Sequence, residues 1–387
     1  MAHLKKQSYY QLAPPPVGPL NRYRLLSPTA AVRVSPLCLG AMNFGDAWTE
    51  DMGECNQETA EGIMDFYFEQ VGNFIDTANN YQFQESEKWV GEWIKRRGNR
   101  DQIVLATKYT TNYKAGPQAS HLMANYSGNG TKSMINSVEQ SLKNLQTDYL
   151  DILYVHWWDY STSIPELMQS LNHLVVSGKV LYLGISDTPA WVVSRANEYA
   201  RQNGLRQFSV YQGMWSAALR DMERDIIPMC KTEGMALIPF GTMGSGRFKT
   251  AEERAADPGR TREASEVERA VADVLDAIAQ RKGEGMTAMS VALAYVFHKA
   301  PYVFPVIGGR KIEHLKGNIA ALTLRLTPEE MDEIEAAAPF DPGFPHNLVM
   351  VKKMASPLQD LFVHATSATM DWVPEPKPIA PTASSTS

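Results

Sequence analysis

Four residues in the first half of the chain have types and spacing that suit proton chemistry at an oxygen atom. Asp76 and Tyr81 fall in NFIDTANNY (73–81), where a short apolar run gives way to turn-forming residues. Lys108 ends the run LATK, and His156 ends DILYVH just before two tryptophans. Singly, each has an ordinary explanation: a helix-capping aspartate, a solvated strand-end lysine, a hydrogen-bonded core histidine. Together they form a set. A tyrosine titrates near about 10 when unperturbed, and a neighbouring ammonium lowers that value. Lys108, held by Asp76, supplies such a charge without freedom to roam. His156 can donate a hydrogen bond to a carbonyl oxygen and orient it. The result is a proton donor beside an oxygen-polarising group, which suits carbonyl reduction by an external hydride source. The histidines form no HxH, HxxxH or HExxH group, so the sequence gives no reason to expect a metal.

For the set to act, one fold must bring it to one face. Nearly continuous apolar runs recur at 37–42, 73–78, 103–108, 150–156, 180–187, 209–214, 236–241 and 304–309. Strands buried on both faces read this way. Helical patterns lie between them: Trp89, Val90, Trp93 and Ile94 make one stripe, and Met134, Val138, Leu142 and Leu145 another. Ser163 and Glu166 read as a capping box, and Thr188 followed by Pro189 as an N-cap with proline at the first helical position. Helical segments are expected at 287–299 and 311–321, and Thr327 opens one more. Eight β–α units on right-handed crossovers close most naturally into a (β/α)8 TIM barrel of the α/β class. No run is followed by GxGxxG, which argues against an open doubly wound sheet. In such a barrel the four residues all leave strands two to four at the carboxyl end. Long connections at 43–58, 109–130 and 241–263 belong to that same face. Segment 22–35 reads as an N-terminal β-hairpin. The expected organisation is a flexible arm (1–21), a barrel (22–340) and an irregular C-terminal extension (341–387), with a composition typical of disorder from about 373.

The chain has 387 residues, 44% of them hydrophobic, enough for a large core. Its net charge of −6, with no basic block, argues against nucleic acid as a partner. Three scattered cysteines fit neither a disulfide framework nor a metal-binding spacing. No apolar run is long enough for a bilayer and the start carries no secretory signal, so a cytoplasmic protein without membrane partners is expected.

The pieces NFIDTANNY, LATK, DILYVHWWD, GISD, VYQGMW and VIGGRKIEHLKGN resemble, in order and approximate spacing, the aldo-keto reductases over about residues 23–338. GISDTPAW and GGRKIEHL make the chain most similar to the fungal aryl-alcohol dehydrogenase and norsolorinic-acid-reductase-like group. The resemblance implies Tyr81 as general acid, Lys108 and Asp76 as its tuning pair, and His156 as the carbonyl-orienting residue. It implies NADP(H), with Ser186, Asp187 and Gln212 on the nicotinamide carboxamide and Trp215 stacked on the ring. Gly40, Met42, Asp76, Phe240, Gly241, Met243 and Gly244 complete that end and the pyrophosphate loop. Many members have Asn where Asp187 stands; an ionised Asp accepts but cannot donate.

The phosphate end has a physical basis of its own. Gly309, Arg310 and Lys311 end a strand and open a helix, where free N–H groups and the helix dipole face an anion. Two cations there suit a 2′-phosphate. By resemblance Asn318 contacts adenine, while Gly317 and His314 depart from the residues common at their positions. Trp48, Tyr109, Trp157 and Trp158, with Tyr113, are expected to rim the mouth. An aromatic rim favours planar, hydrophobic carbonyls such as aryl aldehydes or aromatic polyketides. The expected activity is thus reversible, NADPH-dependent reduction of a small-molecule aldehyde or ketone. Two alternatives stand on the same scaffold: a cofactor-binding partner subunit like the voltage-gated potassium-channel β subunits, or a biosynthetic enzyme with a different net reaction.

Overall fold

The computed structural model describes residues 11–117, 119, 121–249, 263–350 and 361–381. The chain opens with an antiparallel hairpin, β1 (Arg24–Ser27) and β2 (Ala30–Val34). Eight parallel strands follow: β3 (Cys38–Gly40), β4 (Phe74–Asp76), β5 (Val104–Tyr109), β6 (Leu150–Val155), β7 (Val180–Ser186), β8 (Phe208–Met214), β9 (Ala236–Phe240) and β10 (Val306–Ile307). Their order is β10-β3-β4-β5-β6-β7-β8-β9. The ring closes between β9 and the residues just ahead of β10. Leu237 N donates to Tyr302 O, and Phe304 N to Leu237 O, each at 2.9 Å. This is the expected (β/α)8 barrel.

Strand alternation explains the continuous apolar runs, because both faces are covered. Cys38, Phe74, Val104, Ala106, Ile152, Tyr154, Val210 and Ile238 join inside the barrel with Leu26, Ala30 and Val34 of the hairpin. The hairpin therefore closes the amino-terminal end, and Thr29 Oγ1 donates to Gly234 O at 2.9 Å to hold it there. The intervening residues, such as Ile75, Leu105, Leu153, Leu183 and Ile185, pack against the helices in a larger cluster. The hairpin leaves the carboxyl-terminal end of the barrel uncovered.

The helices largely follow the expected punctuation. Thr327 with Glu330 forms a full capping box, whereas the box expected at Ser163 is only half formed: Ser163 accepts from Glu166 N, but the Glu166 carboxylate turns to Thr131 N (3.0 Å) and Thr131 Oγ1 (3.1 Å). Thr188 differs from its expected capping role: the helix Ala190–Gln202 starts from Pro189 without a side-chain cap. Thr188 Oγ1 instead donates to Ser186 O at 2.7 Å, so its hydroxyl fastens the end of β7. Helix Glu85–Arg97 lies unusually close to helix Thr131–Leu145. A Cβ on Gly91 would meet Asn144 O at 2.4 Å and Leu145 backbone at 2.6 Å, so only glycine allows this approach. The described part of the C-terminal extension touches the barrel: Arg224 Nε donates to Pro342 O (2.8 Å) and Arg325 Nε to Pro381 O (3.0 Å), and Lys231 pairs with Glu375. No helix among the described residues is long and apolar enough to cross a membrane.

Candidate active site

Asp76 is the last residue of β4, and Lys108 faces Tyr154 across the β5–β6 ladder. The ladder continues past the strand ends, with Thr77 N on Ala106 O (2.9 Å) and Asn79 N on Lys108 O (3.1 Å). Both side chains therefore enter the barrel from a rigid frame. Lys108 is 0% exposed and is ion-paired with Asp76 Oδ1. Its ammonium also donates to Thr77 O at 2.8 Å and to the Tyr81 hydroxyl at 3.4 Å. Asp76 Oδ2 accepts from Gln212 Nε2 at 3.1 Å. Burial opposes the charge on Lys108, but the Asp76 carboxylate and the Tyr81 oxygen more than offset it, holding the ammonium above its ordinary value. A buried charge of this kind persists only because it is paired and hydrogen-bonded.

Tyr81 opens a turn in which Gln82, Phe83 and Gln84 have φ of 50°, 48° and 82°. Left-handed backbone costs a non-glycine residue about 1–2 kcal/mol, so this turn is held by its surroundings. It places the Tyr81 ring edge-on to His156 (5.9 Å between centroids) and to Trp48 (6.3 Å). The sequence leads one to expect that Lys108 lowers the phenol below its ordinary value. Burial pushes the phenol above its ordinary value, and the nearby Lys108 only partly reverses this, so the net shift is up and not down.

His156 lies one residue past β6, its amide on Tyr109 O at 2.9 Å. Its Nδ1 is 3.4 Å from Thr111 Oγ1, which accepts from Trp157 Nε1 at 2.6 Å. The Trp157 ring stacks on the imidazole at 4.4 Å. Burial and the Lys108 charge hold His156 well below its ordinary value, so it is neutral near pH 7.

The expected aromatic rim is divided by the structure. Trp48, half-buried, and Trp157, exposed, lie at the mouth against Tyr81 and His156, while the half-buried Trp158 packs towards the helix-side core and edge-on to Tyr160. Tyr109 does not lie at the mouth either. With Lys108 pointing inward, the two-residue period of β5 turns Tyr109 outward, where it is fully buried and donates to Asn129 O at 3.2 Å. Tyr113 is likewise buried, against Tyr126. A cleft of about 810 Å³ opens beside Asp187, bounded by Tyr160, Trp191 and Met214. A larger cavity, about 1070 Å³, lies on the outer wall beneath the C-terminal extension and contains none of the four central residues.

The candidate cofactor contacts follow the carboxyl ends of β7 to β10 and of β3. Asp187 is left-handed (φ 42°), with its amide on Gln212 O at 3.1 Å and its Oδ2 accepting from Ser186 Oγ at 3.2 Å. Burial pushes its carboxyl up to about 6. Trp215 departs from an open stacking platform: it is 0% exposed, with its indole N–H on Glu223 at 3.1 Å. In the segment 240–246, Phe240 and Met243 are half-buried, and Gly241 and Gly244 take φ of 70° and 65°. Thr242 Oγ1 in this segment is buried with no hydrogen-bond partner among the described residues. Gly40 packs so tightly that a Cβ would meet Val306 Cγ1 at 2.6 Å, and the Met42 carbonyl accepts from Gln82. Gly309 and Arg310 precede Lys311, the N-cap residue of helix Ile312–Ala320, on which Asn318 is buried. The Arg310 guanidinium lies against Gly53, where a Cβ would come within 1.7 Å of Nη1. Thr111, Gln82 and Glu223 are the contributors that sequence did not single out. For Thr111 its position three residues past Lys108 was the available signal.

A parallel eight-stranded barrel with Asp, Tyr, Lys and His gathered at its carboxyl-terminal mouth is the frame of a barrel oxidoreductase. The Aldo/keto reductase family model matches residues 36–339, and the chain belongs to that family. It is 58% identical over 371 residues to norsolorinic acid reductase B of Dothistroma septosporum, covering 93% of this chain and 94% of the relative. An aryl-alcohol dehydrogenase of Pestalotiopsis microspora is 53% identical, with 95% of each chain covered. The aldo-keto reductase ausK of Emericella nidulans is 52% identical over 88% of this chain and 87% of its own.

Proposed function

We propose that the protein reduces an aromatic aldehyde or ketone, reversibly, with NADPH, and that Tyr81 is the proton donor. The observation that carries this is the fully buried Lys108 ammonium, shared among Asp76, Thr77 O and the Tyr81 hydroxyl. The raised phenol keeps Tyr81 protonated at neutral pH, as a donor must be. When it gives up that proton, the phenolate forms 3.4 Å from a fixed cation, so the charge that develops is met by one already in place. His156 is neutral and donates one hydrogen bond. Thr111 Oγ1 accepts from Trp157, leaving its own hydrogen for His156 Nδ1. That arrangement leaves the imidazole proton on Nε2, available to orient a carbonyl oxygen.

The residues present fit a dinucleotide phosphate. The unpartnered, buried Thr242 hydroxyl and the left-handed glycines beside it suit a pyrophosphate. Arg310 and Lys311 at a helix N-terminus suit a 2′-phosphate. Ser186, Asp187 and Gln212 would hold the carboxamide, and Gly40, Met42, Phe240, Met243 and Asn318 the rest. When bound, the reduced nicotinamide supplies the hydride. Trp48 and Trp157 favour a flat aromatic substrate, in keeping with relatives named norsolorinic acid reductase and aryl-alcohol dehydrogenase. The test is calorimetric titration with NADPH and NADH, followed by an aryl-aldehyde panel. The expected result is NADPH preference of about tenfold or more, abolished in Arg310→Ala. Equal affinities in the wild type would refute the phosphate assignment.

A further inference from the structure

The strained turn after Tyr81 is held by a loop from another strand. Gln82 is 1% exposed and reaches across to the segment that follows β3. Its Nε2 donates to Met42 O at 3.1 Å, and its Oε1 accepts from Trp48 N at 2.6 Å. Gly45 makes the room, since a Cβ there would come 2.3 Å from Gln82 Cβ. Three residues on, Glu85 Oε2 accepts from Asp46 N (2.8 Å) and Ala47 N (3.1 Å). Three successive amides, 46 to 48, are therefore received by two side chains of the segment that carries Tyr81. The same contact presents the Trp48 ring edge-on to both Tyr81 and Phe83, at 6.3 and 6.0 Å. Three left-handed residues directly beside the proton donor are an expensive way to anchor a loop, and strain of this sort gathers where geometry matters to function.

We propose that Gln82 and Glu85 are positioning residues of the active site. They lock the loop 42–48 onto the tyrosine turn, so that Trp48 walls the carbonyl site and the phenol stays within reach of Lys108. This rests on the carbonyl-reduction reading above. Gln82→Leu keeps the volume but leaves the Trp48 amide and the Met42 carbonyl without their partner. Glu85→Ala frees the amides of 46 and 47, whereas Glu85→Gln retains an acceptor oxygen and should restore most of the loss.

The test combines two readouts. Hydrogen exchange of amides 46–48 in the cofactor-free protein reports the lock, and steady-state kinetics with an aryl aldehyde report positioning. In Gln82→Leu and Glu85→Ala those amides should exchange faster and kcat/KM for the aldehyde should fall about tenfold or more; in Glu85→Ala, whose carboxylate touches no residue assigned to the cofactor, NADPH affinity should stay within about twofold. Unchanged exchange overturns the lock. Faster exchange with unaltered kinetics in a folded variant overturns the positioning role. If Gln82→Leu does not fold, the half-buried Glu85 pair of variants decides by the same criteria. A wild type that binds NADPH yet reduces no carbonyl would defeat the functional reading itself, and the exchange arm would then decide the lock alone.

Discussion

Replacing Asp187 by asparagine should make the protein more stable at neutral pH, although it removes a charged residue from the mouth of the barrel. Burial moves this carboxyl from 3.8 to about 6, against a smaller pull from Ser186 and Lys108. Between those two values the folded state keeps the proton and the unfolded chain has lost it. The stability this contributes is full below about pH 4, declines as pH rises through 6, and is gone above that. At about 1.4 kcal/mol per tenfold in proton affinity, the shift amounts to about 3 kcal/mol. The side chain keeps part of its surface in water, which trims this to about 1–2 kcal/mol. Asparagine pays none of it, still accepts from Ser186, and tolerates the left-handed backbone at 187 better than most residues. The assay is urea unfolding of wild type and Asp187→Asn at pH 4.5 and pH 8. The variant should gain about 1–2 kcal/mol at pH 8 and much less at pH 4.5. A gap of equal size at both pH values, or a variant less stable at pH 8, would contradict a raised Asp187 carboxyl.

Other perturbations follow from the same geometry. Lys108→Met leaves Asp76 buried with only Gln212 as partner, and urea unfolding at pH 7 should show a loss of about 3–5 kcal/mol alongside loss of aldehyde reduction. Gly91→Ala drives a methyl into the Asn144 and Leu145 backbone; thermal unfolding should register about 1–3 kcal/mol of destabilisation, with NADPH affinity unchanged because the contact lies between two outer helices.

Much of this was legible in the sequence, for physical reasons. The eight strands were readable because strands covered on both faces leave unbroken apolar runs, and the ends of those runs carry Asp76, Lys108 and His156 directly. The strand period explains the main misplacement: Lys108 and Tyr109 are neighbours in sequence, so only one of them can face the barrel interior, and the ion pair with Asp76 claims that place for Lys108. Other features depend on what only three dimensions supply. Nothing in YQFQE announces three left-handed residues, since none is glycine or asparagine; the loop after β3 that stabilises them is about forty residues away along the chain. The net direction of the Tyr81 shift likewise depends on how deeply the ring is buried, which the spacing of charges does not reveal. Trp215 reads as an aromatic at the end of β8, but its burial follows from Glu223, whose role emerges only where Arg220, Lys299 and Trp215 converge on it.

The most direct measurement is single-turnover hydride transfer from NADPH to an aryl aldehyde at pH 7, in wild type and Tyr81→Phe, with NADPH affinity determined for both. The expected result is a rate lower by about 10²–10⁴ in the variant at unchanged affinity, because the ring and its contacts remain and only the proton donor is lost. A Tyr81→Phe protein that transfers hydride at the wild-type rate would contradict the assignment of Tyr81 as the acid.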